Sequence, residues 1–446
     1  MIHSSISLYK REQLKVPYKA NWSSNNPLVI VEGDGWIYPT KEALRPLGIA
    51  QITATEIDGV NQTIFEVTIV PWSANRLRLD VNKFYTKQYI MTKQGNTIYS
   101  SVKYSGNELF TGDLDNLVKV SDLPVGCTQY YAPMLVTPNG YFIHSNSSIW
   151  YSANLSSWTK VFDNLRGSAL RHMFDYAYDA ISGNVYVFVG EYSTVDTTQC
   201  RVIKGIIPNS GEQVWETSLE FYSRSQFNAE PTLSPSCRHI HAVIVEKSSN
   251  TLWVGTGDVG NEIQIMRSID FGLTWETVGK GTQDWRTLSI WFTEDYVYWN
   301  MDADTPQGIW RLPKANLQAD KELVARLSNG TMWYHMPIKD HLGEDAILMA
   351  QSAEGQFRDE NGRVFYIKEL TDKTVEIEEV LLVYREEGVP FDGFIQIEPI
   401  LQDDDGYVYF NGRSSYPNQN TRRYRLTLRG NQKLFRFVDP VKYVSQ

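Results

Sequence analysis

The sequence predicts an all-β chain: an N-terminal β-sandwich followed by a seven-bladed β-propeller of four-stranded blades. Three observations carry this prediction. Short β-branched and aromatic runs alternate with Gly, Asn, Asp and Ser turn clusters, while helical stretches rich in Ala, Leu, Glu and Lys are nearly absent. Tyr 26, Phe 18 and Trp 13 are heavy for 446 residues and suit sheets whose faces carry aromatic side chains. A turn residue followed by a short aromatic or β-branched strand recurs seven times, with strand starts at 97, 141, 185, 251, 296, 346 and 407.

Residues 1–15 form an N-terminal arm and residues 16–72 read as the sandwich. Its expected strands are Leu28 to Val31, Trp36 to Tyr38, Ala50 to Thr55 and Thr63 to Val70, separated by turns such as Gly33-Asp34-Gly35 and Asp58-Gly59. Trp22-Ser23-Ser24-Asn25-Asn26-Pro27 precedes Val29-Ile30-Val31; Gly35-Trp36-Ile37-Tyr38-Pro39, Gly48-Ile49-Ala50-Gln51-Ile52-Thr53-Ala54 and Phe65-Glu66-Val67-Thr68-Ile69 follow in order. This succession resembles the bacterial Ig-like (BIG2) family, whose domains are spacers or adhesive modules on surface proteins and phage tails and carry no chemistry. Lys41 to Leu47 departs from the family's short Gly-containing turn and predicts a longer or bulged loop.

A linker at 73–80 leads to the propeller at 81–440, and 441–446 is a tail. The repeat intervals fit the roughly 40–50 residues of a four-stranded blade, two of them enlarged by insertions. The clearest unit runs from Arg238 to Gly279, with strands expected at His241 to Glu246, Thr251 to Thr256, Gln264 to Arg267 and Thr274 to Val278. Arg76 to Val81 is a candidate closing strand. A solenoid is disfavoured because no hydrophobic period of 20–30 residues appears. Between the last two strands of the clearest unit lies Ser268-Ile269-Asp270-Phe271-Gly272-Leu273-Thr274-Trp275, which fits S-x-D-x-G-x-T-W. In such a hairpin Asp270 accepts backbone N–H bonds, Gly272 supplies positive φ, and Trp275 packs between sheets; Ser268 and Thr274 complete the pattern. The string resembles the Asp box of sialidase-like (BNR) propellers, where the motif is structural and lies away from the catalytic face. Ser152 to Trp158 is a worn copy, one residue shorter.

Composition excludes several functions. A net charge of −10 argues against capture of nucleic-acid phosphates or anionic membranes. Cys127, Cys200 and Cys237 are too few and too scattered for a disulfide framework or zinc knuckle and are expected as buried thiols. No apolar run approaches a membrane span, and MIHSSISLYKREQ lacks the apolar core of a Sec-type signal peptide. The expected location is a virion or an extracellular surface reached by another route, such as release of a phage particle. The acidic strings Gly257 to Glu262, Asp302-Ala303-Asp304 and Asp403-Asp404-Asp405 match no EF-hand loop and read as solvated turns. No metal and no cofactor is expected.

The first strand of each blade lines a propeller's channel. Residues at its entrance include Tyr130, Tyr131, Arg171, His172, Arg238, His239, His241, Trp285, Arg286, Trp333, Tyr334, His335 and Asp392. Aromatic, Arg, His and acidic side chains stand there where Val or Ala would satisfy packing. Arg forks suit carboxylates and aromatic faces suit the C–H faces of sugars, so this set is the candidate glycan site. The competing reading is that Arg-His pairs lock adjacent blades and the rings fill the tapering channel.

The primary expectation is a glycan-recognising surface protein, a bacteriophage virion or tail component with a receptor-binding or structural role. Its partners would be a surface polysaccharide and other virion proteins reached through the N-terminal domain and arm. The alternative is a glycan-degrading glycoside hydrolase or polysaccharide lyase. The first-blade Arg motif of sialidases is absent, and Asp392 is the one carboxylate that stands out at the right phase, with Asp175, Asp284 and Glu294 weaker. For a lyase, Arg238 would neutralise a uronate while His239, His241 or Tyr334 moved the proton.

Overall fold

The computed structural model describes residues 6–7, 20–25, 29–31, 37–39, 48–56, 62–69, 88–95, 97–102, 107–113, 116–124, 127, 134–145, 147–167, 171–302, 308–327, 331–340, 343–352, 362–383, 395–402, 407–414 and 422–427. Strands β1 (Ile6–Ser7), β2 (Ala20–Ser24), β5 (Gly48–Glu56) and β6 (Gln62–Ile69) form one sheet in the order β1-β6-β5-β2; β3 (Val29–Val31) and β4 (Ile37–Pro39) form a hairpin. Ile52 and Ala54 are buried while Gln51 is exposed and Thr53 and Thr55 are half-buried, the period-2 pattern of a one-sided sheet. Strands therefore stand where the turn clusters predicted them. The 41–47 loop and the 76–81 segment lie outside the described residues.

Seven consecutive antiparallel sheets follow. Blade one comprises β7 (Gln88–Gln94), β8 (Thr97–Val102), β9 (Glu108–Gly112) and β10 (Leu117–Asp122); blade two comprises β11 (Met134–Thr137), β12 (Gly140–His144), β13 (Ser148–Ser152) and β14 (Thr159–Asp163). Blade three holds β15 (Phe174–Tyr178), β16 (Val185–Gly190), β17 (Arg201–Ile207) and β18 (Val214–Glu220), and blade four holds β19 (His239–Glu246), β20 (Thr251–Gly257), β21 (Gln264–Ser268) and β22 (Glu276–Lys280). Blade five is β23 (Ile290–Phe292), β24 (Tyr296–Asn300), β25 (Gly308–Pro313) and β26 (Glu322–Arg326), and blade six is β27 (Thr331–Lys339), β28 (Asp345–Ser352), β29 (Gly362–Glu369) and β30 (Val375–Val383). Blade seven has three described strands, β31 (Ile395–Gln402), β32 (Tyr407–Ser414) and β33 (Arg422–Thr427). The fold is a seven-bladed propeller, and all seven repeated sequence motifs are second strands of their blades.

First strands pack on first strands of neighbouring blades, β7 on β11, β11 on β15, β15 on β19, β19 on β23 and β27 on β31. The ring closes where β31 meets β7. There Lys93 Nζ donates to the Gln402 carbonyl at 2.7 Å, while the Gln402 side chain exchanges two hydrogen bonds with the Lys339 backbone of β27. Blade seven is thus tied to both its neighbours. Burial falls outward: β20 is wholly buried, whereas β14, β18 and β22 alternate between half-buried and exposed positions. This is the gradient expected when only the outermost strand faces water.

Aromatic residues fill the wedges between blades. Trp253 of blade four packs on Phe292 of blade five with ring centroids 5.8 Å apart, and Phe142 of blade two meets Trp215 of blade three at 6.2 Å. Polar links run beside them. Asp175 of blade three accepts from Val245 N at 2.8 Å and pairs with Lys247, and Lys314 reaches Glu246 at 2.6 Å. Buried Glu191 accepts from the amides of Arg166 and Arg201, both at 2.8 Å, and from the Arg201 side chain, tying the exit of blade two to blade three.

The Ser268–Trp275 hairpin has the geometry its residue types dictate. Asp270 Oδ1 accepts from Leu273 N at 3.1 Å and Thr274 N at 2.9 Å, Oδ2 accepts from the Thr274 hydroxyl, and Ser268 Oγ donates to Oδ1. Gly272 adopts φ +78°, and Trp275 Nε1 donates to the Ser218 carbonyl of blade three at 3.1 Å. The shorter copy turns likewise: Ser152 Oγ accepts from Leu155 N, and Leu155 sits at φ 68°. Cys127, Cys200 and Cys237 are free and buried; burial pushes the Cys127 thiol up to about 12 and Cys237 well above its usual range.

Candidate functional site

The sequence places candidate residues at the entrance of the first strand in six successive blades, and the structure gathers four of them, Arg238, His239, His241 and Arg286, at one place. His239 opens β19, and a bulge between Ile240 and Ala242 leaves His241 out of the pairing with β20. The two imidazoles stack with centroids 4.8 Å apart, and Tyr192 of the preceding blade stacks on His239 at 4.1 Å. Because β20 runs antiparallel to β19, its last residue, Gly257, pairs with His239, and the next residue delivers a carboxylate beside both rings.

That carboxylate, Asp258, is the centre of the cluster. Its Oδ1 lies 3.2 Å from His239 Nε2, 3.5 Å from His241 Nε2 and 3.1 Å from Arg286 Nη2; its Oδ2 lies 3.4 Å from Arg224 Nη2. Arg286 also reaches Asp302 Oδ2 at 3.1 Å, and His241 Nδ1 stands 3.7 Å from the same oxygen. Arg224 opens the short helix α1 (Arg224–Ala229), capped by Ser223, and grips buried Glu262 with two bonds of 2.7 and 2.6 Å. Arg238 pairs with Asp196 at 2.9 Å and donates to the Thr194 carbonyl, also at 2.9 Å. Blades three, four and five are locked together here.

Gly257 is required by this packing. A Cβ there would come within 2.9 Å of Arg286 Cγ and 3.2 Å of His241 Cε1. The electrostatics follow from the partners. Burial alone would raise the Asp258 carboxyl, but its hydrogen bonds to His239 and His241 outweigh burial and hold it well below the usual carboxylate range. Burial depresses the His241 imidazole, and His239 and Arg286 depress it further against the pull of Asp258, so it is neutral near pH 7. Arg224 is held above its ordinary value chiefly by its bonds to Glu262.

The cluster is deep except at Arg238 and Asp196, whose side chains are 31% and 51% exposed. Exposed Val195 and Val259 flank them. Arg224 and Arg286 show a smaller edge to solvent.

The other predicted residues go elsewhere. His172, in a 3-10 turn just before β15, packs its ring against Tyr334 of β27 at 5.3 Å, joining blades three and six across the channel. His335 pairs its Nδ1 with the Ser289 hydroxyl and lies beside Trp291 at 5.9 Å, between blades five and six. Trp285 stacks on Trp299 at 4.9 Å over Gly279, with Lys321 above its ring, inside the packing between blades four and five. Arg171 lies in the turn with His172 and Trp333 lies in β27. Tyr130, Tyr131 and Asp392 lie outside the described residues.

Sequence reasoning missed Asp196, Asp258, Glu262, Asp302, Arg224 and Tyr192. Asp258, Glu262 and Asp302 sit in acidic strings that were read as solvated turns. The available signal was their position just after a second strand, which antiparallel pairing brings to the entrance of the first.

His239, His241 and Asp258 offer ligand atoms within 4.8 Å of one another, and among the described residues they are the group whose donors could hold a metal ion. The Arg286 guanidinium, 3.1 Å from both Asp258 and Asp302, already places a cation against these carboxylates. A divalent ion would have to displace it.

No family model matches the sequence, and no curated protein matches it. Solved structures similar to it include one from a study of two prolyl endopeptidases, at 11% identity and TM-score 0.49 over 80% of this chain and 51% of that one. An ancestral GH74 enzyme is similar at 13% identity and TM-score 0.46 over 79% of this chain and 47% of its own. A Trypanosoma rangeli sialidase is similar at 11% identity and TM-score 0.39 over 83% of this chain and 56% of its own. The chain spans about half the length of each of these structures.

Proposed function

We propose that this chain is a surface glycan-recognising protein whose binding face is the entrance of blades three to five. The observation that supports the reading is the Asp196–Arg238 pair. It is half exposed and flanked by exposed valines, and behind it the Asp258 network holds both residues' neighbours in fixed positions. Rigid, pre-paired polar groups beside a small apolar surface suit a sugar, which presents hydroxyls and C–H faces together. The same network also locks the blades, so the structural and the binding reading apply to different depths of one cluster.

Binding is preferred to cleavage on a specific ground. His239 Nδ1 lies 3.1 Å from the Ser193 carbonyl and Nε2 3.2 Å from Asp258, so both ring nitrogens face protein groups, and His241 is buried. A lyase base or a hydrolase acid needs a titrating group open to substrate. We further propose that the protein serves in a bacteriophage virion or tail, with an N-terminal Ig-like domain as spacer; mass spectrometry of purified particles and the identity of neighbouring genes test this.

The function itself is tested on a panel of bacterial surface polysaccharides. The expected result is retention of the protein without new reducing ends or ultraviolet-absorbing unsaturated products. Product formation would establish the hydrolase or lyase reading instead. Arg238→Ala should abolish retention.

A further inference from the structure

We infer that Cys200 and Cys237 are a disulfide-forming pair, which exchange with a low-molecular-weight disulfide oxidises to a single bond that staples blade three to blade four behind Arg238. The inference is independent of what the face binds. Cys200 immediately precedes β17 and Cys237 stands two residues before β19, so the pair spans the junction of these blades. Both side chains are free and fully buried, and both belong to the apolar core that runs from blade two to blade four, whereas Cys127 lies in a separate one.

Backbone pairing brings them together. Phe221 N donates to the Cys200 carbonyl at 2.9 Å, Tyr222 bridges to Ser236, and Cys237 N donates to the Tyr222 carbonyl at 3.1 Å, so the segment leaving β18 holds both cysteine backbones. Cys200 Sγ then reaches across to the Arg238 carbonyl at 3.0 Å, one residue past its partner, and the two thiols share a hydrogen bond. Closing an S–S bond gives up only contacts of weak S–H donors.

The exchange balances with the small-molecule disulfide as oxidant. One cysteine thiolate attacks it and expels a thiolate; the second cysteine attacks the resulting mixed disulfide and expels another. Two S–H bonds are lost, one S–S bond forms, and the two electrons and two protons end on two small-molecule thiols. Burial, helped by the neighbouring Cys200 thiol, holds the Cys237 thiol well above its usual range, so exchange runs through local opening of the blade junction. The same burial then shields the finished bond from reductant. The bond closes a long loop containing β18 and α1, and a cross-link restricts the unfolded chain more as its loop lengthens.

The test incubates the full chain with oxidised and reduced glutathione at several ratios, in urea just below the unfolding midpoint, and then traps free thiols with N-ethylmaleimide. Intact mass should show one trapped thiol in place of three, and peptide mapping should join Cys200 to Cys237 and leave the label on Cys127. Freed of urea and glutathione, the cross-linked protein should melt several degrees above the reduced protein. Cys237→Ala should show no such shift after the same treatment. Three trapped thiols at every ratio, glutathione left on either cysteine, or a cross-link through Cys127 would overturn the pairing. A Cys200–Cys237 bond that leaves the melting temperature unchanged or lower would overturn the staple.

Discussion

Arg286 of blade five reaches back to Asp258 of blade four, Nη2 to Oδ1 at 3.1 Å, and the same nitrogen lies 3.1 Å from Asp302. One guanidinium thereby bridges two carboxylates, Asp302 buried and Asp258 half-buried, and joins two blades at the channel entrance. Everything else in the cluster, including the stacked histidines, is arranged around the charge it balances.

Removing that guanidinium should be costly and should change what the site can hold. Arg286→Ala leaves Asp258 and Asp302 facing each other, and a loss of about 3 kcal/mol is expected from breaking a buried pair. Ligand atoms around a tetrahedral zinc lie about 3.3 Å apart, close to the 3.2 and 3.5 Å between Asp258 Oδ1 and the two histidine Nε2 atoms. Zinc should therefore raise the melting temperature of Arg286→Ala by several degrees and leave the wild type unmoved. A wild-type shift as large as the variant's would show that the guanidinium does not bar the ion.

Gly257→Ala tests the packing that sets this geometry. The added methyl would sit 2.9 Å from Arg286 Cγ and 3.2 Å from His241 Cε1, so both side chains must give way. Overpacking of this kind costs roughly 1–3 kcal/mol. Calorimetry should show that loss, and glycan affinity should fall with it because the support behind Arg238 moves. Unchanged stability would mean the site is looser than these distances imply.

The propeller was legible because each blade repeats one local problem, a tight turn into a strand buried on both faces, and that problem has few residue solutions. Thr97, Tyr141, Val185, Thr251, Tyr296, Ala346 and Tyr407 mark second strands for this reason. The site was half legible. His239, His241, Arg238 and Arg286 were visible as polar residues where packing wants apolar ones, but Asp258 and Asp302 looked like ordinary acidic turns. Only the antiparallel register, pairing His239 with Gly257, brings Asp258 to the rings. Arg224 comes from the longest interval between repeats and carried no signal. That His172 and Tyr334 meet across the channel depends on its width, which no sequence pattern encodes. The Trp285 ring likewise stacks on Trp299, a choice made by packing between blades.

The Ser268–Trp275 hairpin should be separable from function. Asp270 organises it by accepting two amides and two hydroxyls, with its carboxyl held down to about 2 despite the opposing effect of burial. Asp270→Ala should lower stability by about 1 kcal/mol, the net worth of such bonds at an exposed turn. Glycan retention should stay at the wild-type level, because the hairpin joins the outer strands β21 and β22. Loss of retention with the fold intact would put this hairpin into the binding surface.

His144 gives the clearest pH dependence. It ends β12 at 3% exposure, edge-on to Phe174 at 5.5 Å, with Nδ1 3.2 Å from the Ser145 carbonyl and no partner on Nε2. Burial lowers it to about 4, only partly offset by the backbone contact. The unfolded imidazole titrates near 6.5, so between these values the unfolded chain binds more protons than the folded one. Stability contributed by this neutral ring is complete above about pH 6.5 and is lost as pH falls toward 4, by about 3 kcal/mol in all. His144→Leu removes the proton uptake while keeping an apolar side chain in the wedge. The stability difference between wild type and His144→Leu, from urea unfolding at successive pH values, should therefore move in favour of the variant from pH 7 to pH 4. A difference that stays flat across that range would mean the folded imidazole titrates as the unfolded one does.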